Sequence, residues 1–394
     1  MSETLVTVKN QYEDLPYPYR NPEDEKTRLF LTASGYPDFL NHDCFEGGKD
    51  FTKKIRILVA GGGTGDSAVI WADVLQNNPD AEIVYLDFSE ASRKVAEARL
   101  EVRGTKHKVK FITDSILNIP KLGLGKFDII NCSGVLHHLQ EPKDGLKALE
   151  GVLADDGVMN IMLYATYGRY GIYPLQEIMP YINHDISDPQ AKIDNTRTLL
   201  NNLPASNSFV PSLKKFQYLN NDAELYDLFL HSQDRSYTVA EVYDFAGVAN
   251  LQVLDFCRDS KQSTRQDYLP EKYIKDKALL ERVKKLPVWQ QQAIAEVMDG
   301  CKRKHIFNLA KTQRKQMQYG LDTTPSLPSY LQADLYKQLA DVVGKSGNVI
   351  QVTVQERPFT FIKTPNLQKI FEKMDGKNRS EEHTSELQSP MFIS

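Results

Sequence analysis

Residues 55–60 read Ile-Arg-Ile-Leu-Val-Ala and run straight into Gly61-Gly62-Gly63-Thr64-Gly65-Asp66, an apolar run stopped by a glycine cluster. No other stretch constrains the fold as tightly. An Ile/Leu/Val run of this kind fits a strand buried on both faces. The glycines let the backbone turn tightly against a ligand where a Cβ would collide. A nucleoside-type ligand is one reading and a plain tight turn the other, and the residues downstream decide between them.

Those residues alternate between helical and extended patterns. Residues 66–76 have helical apolar spacing, broken by Asn77-Asn78-Pro79-Asp80. A short apolar strand, 81–86, ends at Asp87; a helix over 89–103 can be capped by Ser89. A third strand, 109–113, ends at Asp114, and a fourth, 127–132, ends at Ser133-Gly134. Residues 144–153 predict a helix, Asp155-Asp156-Gly157 a turn, and 158–164 a fifth strand. Such alternation predicts an α/β, doubly wound, mostly parallel sheet with helices on both faces. Ligands in such sheets bind at the carboxyl ends of the strands. Asp87, 22 positions beyond Gly65, stands where a carboxylate can accept from both hydroxyls of a ribose. Asp114 stands where one can accept from an exocyclic amine, and Ser133-Gly134 brings backbone close to the ligand.

Composition narrows the setting. The 394 residues exceed what one compact core usually holds, so a large domain with a smaller appendage is expected. With 48 basic and 52 acidic residues, the net charge of -4 gives no global electrostatic reason to bind nucleic acid or anionic membrane. Cys44, Cys132, Cys257 and Cys301 form no Cys-x-x-Cys pair, and no secretory leader pattern precedes them, which fits free thiols in a reducing cytoplasm. No apolar stretch approaches the roughly 20 residues of a membrane span. The eight histidines show no zinc-ligand spacing, so no metal is expected.

Taken together, the segments 57–65, 86–90 (Leu-Asp-Phe-Ser-Glu), Asp114-Ser115 and 127–139 (Phe-Asp-Ile-Ile-Asn-Cys-Ser-Gly-Val-Leu-His-His-Leu) resemble class I S-adenosylmethionine-dependent methyltransferases. The resemblance covers about residues 52–164. It implies the Rossmann-like, seven-stranded mostly parallel sheet of that family, with S-adenosyl-L-methionine as cofactor. It further implies a cofactor-binding set of Gly61, Gly62, Gly63, Thr64, Gly65, Asp87, Phe88, Asp114, Ser115 and Ser133: glycines under the methionine moiety, Asp87 on the ribose, Asp114 and Ser115 flanking the adenine, Ser133 near the amino-acid end. One position departs from the pattern. Val59 stands two before the first glycine, where the family commonly has an acidic residue. The rival reading takes Gly63-Thr64-Gly65-Asp66-Ser67-Ala68 as a dinucleotide fingerprint of an NAD(P)-dependent oxidoreductase. The Asp66 carboxylate at that helix N-terminus would compete with a diphosphate.

Residues 237–248 read as a Thr-capped amphipathic helix, 251–256 as a sixth strand and 304–310 as the final antiparallel strand. Insertions 166–236 and 267–300 fall where the family places substrate-covering elements, so the first is a candidate lid or a mere surface excursion. The domain expectation is an N-terminal extension over 1–50, either with Tyr12, Tyr17, Tyr19 and Arg20 laid across the cofactor mouth or a flexible leader; a methyltransferase domain over 51–313; and a small α+β, winged-helix-like unit over 314–378. Within that unit a helix over 330–343, a hairpin of 349–354 with 359–362 and a helix over 366–374 are predicted. Residues 379–394 resemble the in-frame translation of a sequencing adapter, which would mean that the natural chain is cut at about Asn378 and its own C-terminus is missing.

Function is then expected to be in-line methyl transfer to a small-molecule or protein acceptor, with no nucleic acid and no membrane as partner; the oligomeric state is open. A general base is needed only for an acceptor that arrives protonated. His137 and His138 are the candidates, although a His-His pair after this strand is frequent in the family without a shared catalytic role. Asn-Cys-Ser-Gly after the fourth strand is not the Pro-Pro-containing motif of enzymes that methylate exocyclic base amines. The alternative of another class is a non-catalytic binding or regulatory protein that retains the fold.

Overall fold

The computed structural model describes residues 11–30, 35–210, 221–257, 265–314, 335–345, 347, 349–354, 357–362 and 367–373. They divide into two compact units, residues 1–40 with 48–314 and residues 41–47 with 315–394. The larger unit is built on eight strands: β1 (Ile55–Ala60), β2 (Ala81–Asp87), β3 (Val109–Thr113), β4 (Phe127–Ser133), β5 (Leu153–Ala165), β6 (Ser236–Tyr237), β7 (Gln252–Phe256) and β8 (Lys304–Ala310). Their order is β3-β2-β1-β4-β5-β8-β7, with β6 paired to β5. β1 to β5 are parallel, and β8 runs antiparallel to both β5 and β7. The sheet therefore has eight strands where seven were expected. The addition is the two-residue β6, too short to leave a periodic signal, which pairs Ser236 with Tyr164 and Tyr237 with Ala165.

A second difference concerns Asp155-Asp156-Gly157. These residues lie inside β5 and not in a turn ahead of it. Between Phe127↔Leu153 and Ile129↔Val158 the register slips, so β5 advances from 153 to 158 while β4 advances from 127 to 129. The polar, glycine-ended tract is extruded as a bulge and pairing resumes beyond it.

In chain order the helices are α1 (Pro37–Phe45), α2 (Asp66–Val74), α3 (Glu90–Val102), α4 (Pro142–Gly151), α5 (Tyr173–Ile182), α6 (Pro189–Asn201), α7 (Asp222–Phe229), α8 (Val239–Gly247), α9 (Pro270–Tyr273), α10 (Lys277–Val283), α11 (Val288–Asp299), α12 (Leu335–Lys345) and α13 (Leu367–Lys373). Their ends follow local chemistry. Ser89 caps α3 by accepting the Ser92 N–H, and Thr238 with Glu241 closes a full capping box on α8. Leu58, Ala60, Ile130, Cys132, Met159 and Ile161 point to one face of the sheet, where Leu146 and Leu149 of α4 and Val242 and Phe245 of α8 complete the core. None of the described helices is long and apolar enough to cross a membrane.

In the smaller unit, α12 and α13 flank a hairpin of β9 (Val349–Val354) and β10 (Arg357–Ile362), paired from Arg357↔Val354 to Ile362↔Val349. Arg357 and Pro358 thus belong to the strand and not to the connection. The winged-helix arrangement remains an expectation, since these four elements are what is described there. Residues 379–394 lie outside the described residues.

The insertion after β5 carries a core of its own. Ile172, Leu175 and Met179 of the α5 region meet Ile193 and Leu200 of α6, Phe209, and Leu225 and Phe229 of α7, all at least nine-tenths buried. Burial on that scale makes it a folded subdomain and not a loose excursion. Leu225→Ala should therefore cost about 2–5 kcal/mol, the usual cost of a large-to-small core change, in urea unfolding of the full chain. A loss under about 0.5 kcal/mol, typical of surface positions, would contradict this.

Candidate active site

A cavity of about 550 Å³ opens at the carboxyl ends of β1 to β4. Its wall includes Val59, Gly61, Gly62, Gly63, Asp66, Ser67, Asp87, Phe88, Asp114, Ser115, Asn131, Ser133 and Gly134. Eight of the ten expected cofactor residues are thus brought together there; Thr64 and Gly65 are not on its wall. Thr64 is fully buried and its hydroxyl donates to the Pro18 carbonyl at 2.6 Å. Gly65, at φ +98°, starts α2 where a Cβ would stand 2.7 Å from that of Ala96. Both are packing residues of the turn.

The glycines are closely packed against protein. A Cβ at Gly61 would stand 2.3 Å from a Val135 methyl, one at Gly62 2.1 Å from the Tyr85 ring, and one at Gly63 2.7 Å from the Tyr17 carbonyl oxygen. Protein packing beside the cavity is thus by itself enough to require glycine at these three positions. The turn also consumes its own donors. Gly61 and Gly62 N–H bond the Leu86 carbonyl, Gly63 N–H the Asp87 carboxylate, Thr64 N–H the Tyr17 carbonyl and Gly65 N–H the Gly62 carbonyl.

Asp87 closes β2 and is buried. One carboxylate oxygen accepts Gly63 N–H at 2.7 Å and the other Ser89 N–H at 2.8 Å. Burial pushes its pKa up to about 6 against the opposing pull of the Ser89, Gly63 and Phe88 N–H groups. Asp114 accepts from its neighbour's Ser115 N–H and from Asn118, both at 2.7 Å. Ser133 is exposed to the cavity.

The N-terminal segment lines the cavity with Tyr12, Tyr17, Pro18, Arg20 and Phe30, whereas Tyr19 is 62% exposed and takes no part. It is fixed by backbone and charge. Glu13 caps α3 by accepting the N–H groups of Glu90 and Ala91 at 2.7 and 3.0 Å, and the Ser89 hydroxyl donates to the Tyr12 carbonyl. Arg20 forks onto both oxygens of Asp66 at 2.8 and 2.6 Å. Arg99 of α3, wholly buried, reaches Asp66 and Glu25 at 2.6 Å each and the Thr64 carbonyl at 2.8 Å. Burial alone would raise the pKa of Asp66, but the Arg20 and Arg99 guanidinium groups outweigh it and hold the carboxyl low. Asp66 is thus an ionised carboxylate paired with two guanidinium groups at that helix start.

Sequence reading did not find the opposite wall, which holds Met162, Tyr164, Arg169, Asp227 and, from the expected pair, His138. Asp227 accepts from the Tyr12 and Tyr164 hydroxyls, one on each oxygen, at 3.1 and 2.9 Å. These residues come from the N-terminus, β5 and α7, so no local motif marks them. His137 is fully buried with neither ring nitrogen bonded among the described residues; burial first, then His138, Arg169 and His231, drives its pKa down. It packs against Tyr164 and has no access to an acceptor. The other unforeseen pair is Ser67 and Asn131, joined at 2.8 Å on the cavity wall.

Residues 58–159 match the family model described as a methyltransferase domain. Over those residues the chain is similar to methyltransferase domains. It is 31% identical over 248 residues to the uncharacterized protein syc1184_c of a Synechococcus strain, covering 62% of this chain and 57% of that one. It is 27% identical over 116 residues to the tRNA 5-carboxymethoxyuridine methyltransferase of Escherichia coli K12, covering 29% of this chain and 42% of that enzyme. The chain thus spans about half the length of these curated relatives. Among solved structures it shares the fold of PKMT2 from Rickettsia typhi, with a TM-score of 0.61 at 14% identity, over 91% of this chain and 70% of that one. The same protein in complex with AdoHcy matches with a TM-score of 0.58 at 16% identity, over 76% and 56% of the two chains.

The ion network around Arg99 makes a quantitative expectation. Arg99→Met would leave Glu25 buried with Arg103 as its remaining cation and should cost about 3–5 kcal/mol. Glu25→Gln on the same background should recover part of that loss in denaturant unfolding. Additive losses in the double variant would contradict the coupling.

Proposed function

We propose that this chain transfers a methyl group from S-adenosyl-L-methionine to a small-molecule or protein acceptor held between the N-terminal segment and the insertion after β5. The observation that carries the reading is the Asp87 carboxylate. It lies buried on the cavity wall at the tip of β2, each oxygen holding one N–H and retaining acceptor capacity for a vicinal diol. The AdoHcy bound to the structurally similar PKMT2 supports the same assignment. Asp87 with Phe88 would hold the ribose, Asp114 and Ser115 the adenine edge, Gly61 to Gly63 the underside of the methionine moiety, and Ser133 its amino-acid end. Bound there, the cofactor supplies a methyl already activated on a sulfonium, so the protein's task is to position the acceptor in line and exclude water.

The dinucleotide rival loses support, because the Gly61 to Gly65 N–H groups of the turn are all spent on protein acceptors and are not open to a diphosphate. A cofactor without phosphate makes no such demand. The match to the tRNA enzyme is 116 residues, about the extent of the cofactor-binding domain, and so carries no information on the acceptor. Domain boundaries of 1–50, 51–313 and 314–378, and a cytoplasmic setting for four cysteines that form no disulfide, belong to the same reading. A non-catalytic protein retaining the fold is the second reading, motivated by Val59 and by the C-terminal unit.

Calorimetric titration with S-adenosylmethionine and S-adenosylhomocysteine tests the first reading, and absence of binding to both would sink it. Asp87→Ala should weaken binding by about 1–3 kcal/mol, the cost of unpaired polar groups. Binding to hydroxyl donors favours the ionised carboxylate, so affinity should be full above pH 6 and weaken on acidification through about 6. Equal affinity at pH 5 and pH 8 would refute Asp87 as the ribose ligand. A labelled-methyl assay against fractionated extract then identifies the acceptor.

A further inference from the structure

His138, which lines the cavity, and His231, which stacks on it, are held in opposite tautomers by one backbone residue. Gln233 offers its carbonyl to His138 Nδ1 at 2.9 Å and its N–H to His231 Nδ1 at 3.0 Å. A carbonyl only accepts, so His138 carries its proton on Nδ1. An N–H only donates, so His231 Nδ1 is bare and its proton sits on Nε2. The neighbours agree with this. His231 Nε2 lies 3.3 Å from the Tyr12 oxygen, and Tyr12 donates onward to Asp227, so the phenol is free to accept from His231. The two rings stack with centroids 3.9 Å apart. His138 Nε2 has no partner among the described residues, and its ring lines the cavity.

The geometry points to His138 Nε2 as the general base for an acceptor that enters carrying its proton, with Asp227 and Gln233 as positioning residues. This inference rests on the methyl-transfer reading. In the step, the acceptor's lone pair forms the bond to the methyl carbon as the carbon–sulfur bond breaks and its electron pair goes to sulfur. The acceptor's proton passes to Nε2, and the positive charge lost from sulfur reappears on the imidazolium. Asp227 stands beside that ring, its ligand atoms within 4.8 Å of those of His138 and His231, with both oxygens holding phenolic O–H groups. The same three residues have the composition of a metal triad, but the proton on His231 Nε2 blocks the lone pair a cation would need.

The groups around His138 set its protonation. Burial lowers its pKa most; Asp227, the Gln233 carbonyl and Asp234 raise it, and Arg169 lowers it again, with a net shift below the ordinary value. Burial and His138 keep His231 neutral, and His137 and Tyr164 pack against the ring without ionising. The base is therefore neutral and ready at pH 7, and its acid limb falls below the ordinary histidine range.

The test uses the full chain, with methyl-tritiated S-adenosylmethionine and soluble cell extract as probe. His138→Gln should retain S-adenosylhomocysteine binding and lose on the order of 10²-fold or more in labelling rate, the usual contribution of a general base. It should also lose the acid limb of the rate profile. Asp227→Asn should shift that limb to lower pH by removing a charge that favours the imidazolium. Labelling by His138→Gln within about threefold of wild type, or an unchanged acid limb, overturns the base while leaving methyl transfer standing. Wild type that binds cofactor and labels nothing fails on methyl transfer itself, and the base falls with it. Two-bond proton–nitrogen NMR of ¹⁵N-histidine protein gives a readout independent of any acceptor. The His138 signal, assigned by its loss in His138→Gln, should report the proton on Nδ1; a proton on Nε2 overturns the proposal.

Discussion

The Arg99 guanidinium is the interaction on which the cavity's architecture depends. It leaves α3 wholly buried and meets three pieces of chain that share no secondary structure: Glu25 in the N-terminal segment, Asp66 at the start of α2, and the Thr64 carbonyl of the glycine turn. A buried guanidinium is costly unless its charge and its donors are all matched. Here the match forces the N-terminal segment to lie where Glu25 can reach, and so places Tyr12, Tyr17 and Arg20 on the cavity wall. Arg20 then completes Asp66 from the other side. The glycine turn is shaped by the same contacts, because the Tyr17 and Pro18 carbonyls that accept from Thr64 belong to the segment that Glu25 anchors.

How much of this was legible in the sequence follows from the range of each interaction. β1, the turn and α2 form one contiguous signal, and the strand-end residues Asp87, Asp114 and Ser133 each follow an apolar run, so the fold and one wall of the cavity could be read directly. Ser89 and Thr238 were readable as caps because a cap acts over three residues. The bulge in β5 was not, since Asp155-Asp156-Gly157 has turn chemistry and only pairing with β4 keeps it in a strand. The opposite wall was hidden for a different reason. Tyr12, Tyr164 and Asp227 are separated by 63 to 215 positions, and each is an ordinary polar residue until the topology joins them.

Val59 gains meaning from the same topology. Across the sheet it shares one register row with Phe111 and Tyr85 on one side and with Asn131, Asn160 and Asn308 on the other. The apolar half of that row carries the turn: the Tyr85 ring lies under Gly62 and its hydroxyl donates to the Gly63 carbonyl at 2.6 Å. The amide half is a hydrogen-bonded line, Ser67 to Asn131 to Asn160 to Asn308, at 2.8, 3.3 and 2.8 Å. Val59 stands at the junction, so the position where the family commonly has a carboxylate abuts an amide that reaches the cavity.

Such a line of buried amides is justified by specificity more than by stability. Each asparagine is nearly inaccessible, and an amide stripped of water without a partner loses more than a made bond returns. A slip of β4, β5 or β8 by one residue would turn every amide into the apolar face formed by Ile130, Met159 and Leu309 and strand them there. The penalty falls on three strands at once. It therefore fixes the register that sets Ser133, at the end of β4, and Tyr164, near the end of β5, on opposite walls of one cavity, the first among the proposed cofactor ligands and the second beside Asp227. The amide row thus ties the alignment of the two walls to the part of the sheet least able to shift.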